Sequence, residues 1–517
     1  MTKYVLKRLL FGIFSVFVVA FIVMTLVFTA IDRETIFNQD SMITKLNGNE
    51  LTVYKYRKWK EYGYLDYNDY SNFVSSKFSA KYGENYTEES EYKEAVSALN
   101  NSDYYCNETV DEFITTNTNN KYNIMYLPRI NKSSAKLIAV KEYTPFERMG
   151  SFLSNLFKVE TIWDVNDEEL TDRYIRFEWD QRSNMPALVG SGTTHRYLIY
   201  FDNKFPFIHQ NLIHINLGTS LVGINSGKDT VDIMNSPTGD MEQKDQIYPS
   251  DIGKENPPTY LTSENFHTAT YSKSATASDI AKFGSKYTNV ELYTKGFSRI
   301  NNSFVIGLIA ILIAYLIGIP LGILMAKRKG KLGDIIGNIY IVFIIAVPSL
   351  AYIFIFAAIG VNLFKLPYNW GLATNPALAF ILPTISLALP MMGSLMKWIR
   401  RYMIDQQNAD YVKFAKSQGL SKGEIFRKHI SKNAFTYIVH SIPADLLGCL
   451  VGAIITERVY QVPGVGGLLT NAITSNDNGI IVAATVFYTA LSIIAMILGD
   501  VLLAKYDPRV SFTDQRG

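Results

Sequence analysis

Apolar and polar positions are unevenly distributed along this chain. Six stretches, 9–31, 304–326, one within 335–364, 377–396, 434–456 and 479–498, are strongly apolar, and only the fifth contains a carboxylate, Asp445. A helix rising about 1.5 Å per residue needs about twenty residues to cross about 30 Å of hydrocarbon, so each stretch predicts a membrane span. The first follows Lys3, Lys7 and Arg8, is too long for the core of a signal peptide and has no small-residue cleavage site after it, so it reads as a retained helix. Residues 32–303 look like an ordinary polar protein. There Phe146, Met149, Phe152, Leu153, Leu156 and Phe157 recur at helical spacing, whereas Ile175, Phe177 and Trp179 alternate with Arg176 and Glu178 as in a half-buried strand. An α+β domain is expected. Within it, 222–290 is rich in small polar residues and broken by Pro237, Pro249, Pro257 and Pro258, which predicts exposed loops. The chain thus divides into a first helix (1–31), an inserted domain (32–303) and a five-span core (304–517).

Charge adds an orientation. The 517 residues are 48% hydrophobic and 19% charged, with a net charge of +3, and this small value conceals a polarised molecule. Segments 1–8, 327–331, 397–432 and 505–517 hold 19 Lys and Arg, whereas the two short loops on the other side hold only Lys365 and Arg458. Lys and Arg near span ends stay on the cytoplasmic side, which places both termini in the cytoplasm and 32–303 outside. Residues 32–300 hold 37 Asp and Glu against 29 Lys and Arg. The basic side is therefore a topology signal rather than a nucleic-acid surface. A purely soluble enzyme, a disordered tail and a collagen-like repeat are excluded. Two cysteines, Cys106 and Cys449, make neither a disulfide framework nor a metal-spaced pair.

The segment between the fourth and fifth spans, 400–433, carries the most specific pattern. From Asp410 to Gln418 a short helix is predicted, with Tyr411, Phe414 and Ala415 as a small apolar face on a basic surface. Gly419 is suited to end it in the left-handed conformation. After Leu420, Ser421 can cap a second helix with Glu424 at its third position. Two short helices around a rigid turn, with an exposed apolar face, suit docking into a cleft of another protein.

These residues resemble the coupling loop, or EAA loop, of bacterial ABC importer permeases. The likeness extends to Lys3-Tyr4-Val5-Leu6-Lys7-Arg8-Leu9-Leu10, to Ile215-Asn216-Leu217-Gly218-Thr219-Ser220, to Thr456-Glu457 with Pro463-Gly464-Val465-Gly466-Gly467, and to Tyr506-Asp507-Pro508-Arg509. Together they resemble the B-type permease subunit of oligopeptide and dipeptide importers, most closely its long-loop streptococcal and lactococcal form. Two features depart from the family. Lys413 and Phe414 stand where the loop's name-giving Glu-Ala would be, with only Ala415 and Gly419 kept. Most of 32–195 has no counterpart in ordinary members.

The resemblance implies an all-α, six-helix type I importer permease fold in the bacterial cytoplasmic membrane. It also implies a second permease, two ATPases receiving one coupling helix each, and an external lipoprotein that delivers peptide. ATP and magnesium would be held by the ATPases, since this chain has no G-x-x-x-x-G-K-[ST] run and no expected cofactor. The loop residues Asp410, Tyr411, Phe414, Ala415, Gly419, Leu420, Ser421 and Glu424 would contact the ATPases.

Asp445, His440 and Glu457 are the candidate path residues. An intramembrane carboxylate faces a cavity or pairs with something, so Asp445 either lines the path, attracting a peptide's amino terminus, or pairs with a polar group of the second permease. His440 alternatively packs. Pro320, Pro348, Pro383 and Pro390 predict kinks. His195, His209 and His214 fit no ligand spacing, so no metal is expected, and no catalytic motif such as H-E-x-x-H or G-x-S-x-G occurs. The tyrosine-dense stretch 54–105, with Trp59, suits either a binding face or a core. Competing readings are a permease of the same fold for nickel or an oligosaccharide, and a membrane-anchored receptor, for which the basic 400–433 segment has no use.

Overall fold

In the computed structural model, which describes residues 2–506 except 39, 102–103, 131–132, 204–206 and 374, the chain begins with α1 (Thr2–Ala30). The helix stops before Asp32, whose carboxylate accepts the Glu34 N–H at 3.0 Å and caps a single 3₁₀ stretch, Arg33–Phe37.

The inserted domain then builds several small antiparallel sheets. In the first part, α2 (Gly48–Glu61), α3 (Tyr70–Tyr82), α4 (Ser90–Ala98) and α5 (Glu108–Asn119) accompany β1 (Leu65–Asp69), β2 (Asn123–Leu127) and β3 (Lys136–Glu142). The sheet order is β1-β3-β2, antiparallel throughout, with Leu65 opposite Glu142 and Ile124 opposite Ala139. Leu65, Val74, Phe113 and Ile138 are completely buried, and Trp59, Tyr62, Tyr64, Tyr67 and Tyr70 join them. Those aromatics of the tyrosine-dense stretch are core. The next helix, α6 (Pro145–Asn155), begins with a Thr144/Glu147 capping box and proline in its first turn. It buries Met149 and leaves Phe146 exposed.

The second part has a four-stranded antiparallel sheet, β5 (Tyr174–Asp180), β6 (Met185–Ser191), β7 (Tyr197–Phe201) and β8 (Ile208–Gln210), in that order. Beside it, β4 (Phe157–Val159) pairs with β9 (Ile213–Ile215). The alternation at 174–180 does form a strand, but its apolar side faces outward: Phe177 is 78% and Trp179 61% exposed. On the polar side Glu178 and Asp180 turn inward because they have partners there, Asp180 meeting His267 at 2.8 Å and Glu178 meeting Arg196 at 3.7 Å, while Arg176 stays exposed. The stretch 222–290, expected as loops, instead forms α7 (Thr230–Asn235), β10 (Lys244–Gln246), β11 (Tyr260–Thr262), β12 (Glu264–Tyr271) and α8 (Ala277–Phe283), followed by β13 (Tyr287–Leu292). Tyr248, Phe266 and Phe283 form a buried aromatic cluster that the polar composition concealed.

The core starts with α9 (Arg299–Lys327), capped by Ser298. The third apolar run is two helices, α10 (Leu332–Ala346) and α11 (Ser349–Phe364), bent by 115°. Pro348 supplies the break: it lacks an N–H and forces Val347 into extended backbone. α12 (Pro376–Ala379) leads into α13 (Ile381–Gln407), which keeps Pro390 inside it, as α9 keeps Pro320. Then come α14 (Asp410–Ser417), α15 (Lys422–Glu424), α16 (Lys432–Tyr460), α17 (Val465–Ser475) and α18 (Asn478–Tyr506). Five of the described helices are long and apolar enough to cross a membrane, and α10 with α11 makes a sixth if the bent pair counts as one span. The Asp507-Pro508-Arg509 end of the last motif lies outside the described residues.

Small residues bring the spans together. Ala314, Gly318 and Gly322 form an i, i+4 stripe on α9, and a Cβ on Gly322 would stand 3.0 Å from Ile399 of α13. The buried Asp334 carboxylate of α10 receives Arg400 of α13 through two bonds, Nε at 2.5 Å and Nη2 at 2.9 Å. The inserted domain is tied to the core at the start of α18. Asp477 accepts the Ser220 hydroxyl at 2.6 Å and the Leu221 N–H at 3.0 Å, while Asn478 donates to the Tyr64 hydroxyl. Gly479 has no room for a side chain, since a Cβ would lie 1.9 Å from the Thr219 carbonyl oxygen.

Candidate functional site

The loop after α13 folds by local rules. Gly419 has φ +81°, its N–H donates to Lys416 O at 3.0 Å, and the Leu420 N–H reaches Ala415 O at 3.3 Å. This pair of bonds closes α14 as a Schellman motif. Ser421 then caps α15: its oxygen accepts the Glu424 N–H at 3.3 Å and its hydroxyl donates to the Glu424 carboxylate at 2.8 Å. Those hydrogen bonds hold the Glu424 carboxyl below its usual range.

Two expectations about this loop are corrected. The helix beginning at Ser421 is not a separate short element. It continues through a π-helical stretch, Ile425–Ser431, directly into α16. The exposed apolar face is also narrower than predicted. Ala415 is 3% exposed and packs, with Val412, against Met403, Ile425 and Ile430, while Tyr411 is half-buried and donates to Gln406. Phe414, at 64% exposure, stands out alone beside Lys413, Lys416 and the fully solvated Asp410. Helical geometry explains the swap: Val412 and Ala415 lie three apart on the inner face, and Phe414 lies on the other.

Between α9, α11, α13 and α16 lies a cavity of about 540 Å³. Its wall is aromatic and hydroxylic, with Tyr315, Tyr352, Ser386, Trp398 and Tyr402 among its residues, and among the described residues Asp445 is the one charged group lining it. Tyr315 and Ser441 both donate to Asp445 Oδ2, at 2.5 and 2.9 Å. Asp445 is thus held by its own chain and also faces a cavity. Sequence reasoning missed Tyr315, though Ser441 is signalled by its position one helical turn before Asp445.

The other two candidate path residues lie elsewhere. His440 does not line the cavity; its Nε2 is 3.7 Å from Asp500 of α18, a carboxylate that also receives the Tyr4 hydroxyl at 2.9 Å and faces Arg8 at 3.5 Å. Glu457 is wholly buried and accepts the Ser303 hydroxyl at 2.6 Å and the Gly467 N–H at 2.9 Å. It caps the N-terminus of α17, where the free N–H groups attract a carboxylate. The Pro463–Gly467 run supplies the room. A Cβ at Gly464 would lie 2.3 Å, and one at Gly466 2.9 Å, from this carboxylate.

Over its whole length the chain is 31% identical to the oligopeptide transport system permease protein AmiC of Streptococcus pneumoniae, with 100% of both chains covered. The chain belongs to the oligopeptide permease family. As such it is a multi-pass membrane component of an ABC importer and not an enzyme. The full-length likeness includes the inserted domain, which this permease therefore shares with that relative. The family described as binding-protein-dependent transport system inner membrane component matches residues 318–512. The dipeptide transport system permease protein DppB of Lactococcus lactis is 30% identical over 43% of this permease and 73% of its own length. Among solved structures, a chain of the MetNI methionine ABC transporter in an inward facing conformation aligns with a TM-score of 0.34 and 11% identity, covering 40% of this permease and 94% of that chain.

Proposed function

We propose that this permease forms half of the path of an ATP-driven importer that carries oligopeptides into the cytoplasm. The observation that carries this reading is the cavity holding Asp445. Its aromatic and hydroxyl lining offers contacts that suit many side chains, and a single carboxylate matches a feature common to unblocked peptides, a cationic amino terminus. A second, homologous permease would complete the path. Two ATPases binding ATP and magnesium would each engage one coupling loop, here through Phe414 and the exposed charges around it. Closure of the ATPases on ATP would then shift the loops and reverse the side to which the path opens.

In this arrangement both termini face the cytoplasm and the inserted domain lies outside the cell. Its role is to dock a peptide-binding lipoprotein, and the exposed Ile175, Phe177 and Trp179 face of the edge strand β5 supports this. Paired Phe177→Ser and Trp179→Ser substitutions should then weaken lipoprotein binding while leaving the domain folded.

The central experiment is uptake of labelled peptides by the complete importer in vesicles. Wild type should prefer peptides with a free amino terminus over acetylated ones, and Asp445→Asn should lose that preference. Equal uptake of both peptides by both proteins would overturn the assignment of Asp445.

A further inference from the structure

Two of the four histidines in the inserted domain, His195 and His214, meet at one buried carboxylate. Glu160 follows β4 directly, and its N–H donates to Leu212 O at 2.8 Å, continuing the ladder in which Lys158 pairs with His214. Glu160 and His214 are therefore diagonal neighbours on one face of the β4/β9 pair. His195 arrives from the turn between β6 and β7, held by a bridge to Thr270 of β12. The carboxylate sorts its two oxygens: Oε2 accepts the His195 backbone N–H at 2.9 Å, while Oε1 meets His195 Nδ1 at 2.5 Å and His214 Nε2 at 3.0 Å. The two imidazoles lie face to face, with centroids 5.2 Å apart and planes 28° from parallel. His209 and His267 are not part of this group: His209 stacks on Tyr200, and His267 pairs with Asp180.

We propose that Glu160, His195 and His214 form a binding site for one divalent transition-metal ion of the zinc class. Their ligand atoms all lie within 4.8 Å of one another. Around a tetrahedral zinc with bonds of about 2.0–2.1 Å, ligand atoms stand about 3.4 Å apart, so small side-chain rotations bring the three into position. Two imidazole nitrogens and one carboxylate oxygen form a borderline donor set that selects zinc-like ions over calcium or magnesium. The Oε2 bond to a backbone N–H is the outer support that fixes a ligating carboxylate. Access is graded as well: the side chain of Glu160 is 1% exposed, that of His195 20% and that of His214 40%, giving a buried floor and an open mouth where water takes the fourth position. Asp232 and Glu291 lie within electrostatic reach of the two imidazoles and favour a cation, with Lys158 opposing them. The ion would tie β4 and β9, whose flanking Leu156 and Leu217 pack toward α1 and α18, to the sheet of β6 and β7.

The test uses the full-length permease, carried on a tag without histidine, stripped with a chelator and dialysed against zinc chloride. Wild type and His209→Ala should each bind one zinc per chain and melt at a higher temperature with zinc than without. His214→Ala, at the exposed edge of the site, should weaken zinc binding by more than the roughly 10–100-fold typical of outer-shell changes and lose the zinc-dependent rise while its metal-free melting stays unchanged. Glu160→Gln should behave likewise, and X-ray absorption of the wild-type complex should show two imidazoles in the zinc shell. Absence of saturable zinc, or equal zinc binding by wild type and a Glu160→Gln, His195→Ala, His214→Ala triple variant, would overturn the proposal and leave a proton-bridged carboxylate with two imidazoles.

Discussion

The Ser303 hydroxyl on α9 lies 2.6 Å from the Glu457 carboxylate on α16, and the same hydroxyl oxygen accepts the Val465 N–H of α17 at 3.0 Å. Three helices thus share one buried polar knot. Glu457→Ala would strand the Gly467 N–H and leave the Ser303 hydroxyl only its longer bond to the Arg299 carbonyl, an unmet buried group costing about 1–3 kcal/mol. We expect Glu457→Ala to lower the melting temperature of the purified permease steeply and Glu457→Gln to fall between it and wild type. A Glu457→Ala protein that melts like wild type would disprove the knot's importance.

The coupling loop separates contact from support. Phe414→Ala should leave thermal stability within about 0.5 kcal/mol of wild type, as for other surface changes, yet weaken co-purification of the ATPases. Ala415→Leu should do the reverse first, costing about 1–3 kcal/mol by overfilling the space beside Met403 and Ile425. If Phe414→Ala destabilises the chain more than Ala415→Leu, the faces are assigned the wrong way round.

Asp334 and Arg400 give a third prediction. Removing only Arg400 leaves a carboxylate that is 4% exposed without its bidentate partner, a change typically worth about 3–5 kcal/mol. Replacing both with apolar residues should recover most of that loss. A double-mutant cycle on melting temperature checks it, and strictly additive effects would count against a coupled pair.

Acid should loosen the inserted domain through Asp180. Burial alone would raise this carboxyl's pKa, but hydrogen bonds from His267 and Ser183 outweigh it and hold the value at about 2. The unfolded value is about 3.9, so the ionised form adds stability that is fully present above about pH 5 and drains away as pH falls through 4 toward 2, roughly 2 kcal/mol in all. The difference in melting temperature between wild type and Asp180→Asn should shrink across that window. A constant difference from pH 7 to pH 2 would rule out the linkage.

Much of this architecture is legible in the sequence because hydrocarbon is a coarse filter. Twenty uncharged residues announce a span whatever they pack against. Pro348 marks a break in the third run, but its 115° angle depends on neighbours that no local pattern encodes. The strand at 174–180 is readable from its alternation, while its inward side was decided by His267 and Arg196, far away in sequence. Asp445 within the fifth apolar run and Glu457 at its edge look alike as carboxylates of one helix. One faces a cavity and the other a helix end, and the only local hint was the Pro463–Gly467 run, whose glycines allow backbone to approach a buried acceptor. Glu160 was invisible for a simpler reason: of its two histidine neighbours one comes from the turn between β6 and β7 and the other from β9, so no fixed spacing exists to be recognised.

The latch between the inserted domain and α18 has a consequence for biogenesis. Tyr64 and Ser220 belong to a domain whose own core can close early, yet their partners Asn478 and Asp477 emerge from the ribosome 414 and 257 residues later. α1 also waits for α18, since its Tyr4 bonds Asp500 across 496 positions. During synthesis, therefore, the domain and α1 wait together for α18, the helix that fastens both. Newly made chains stalled before Asp477 would present that unfastened state to quality-control proteases, which makes the emergence of α18 the moment at which α1 and the inserted domain become one body.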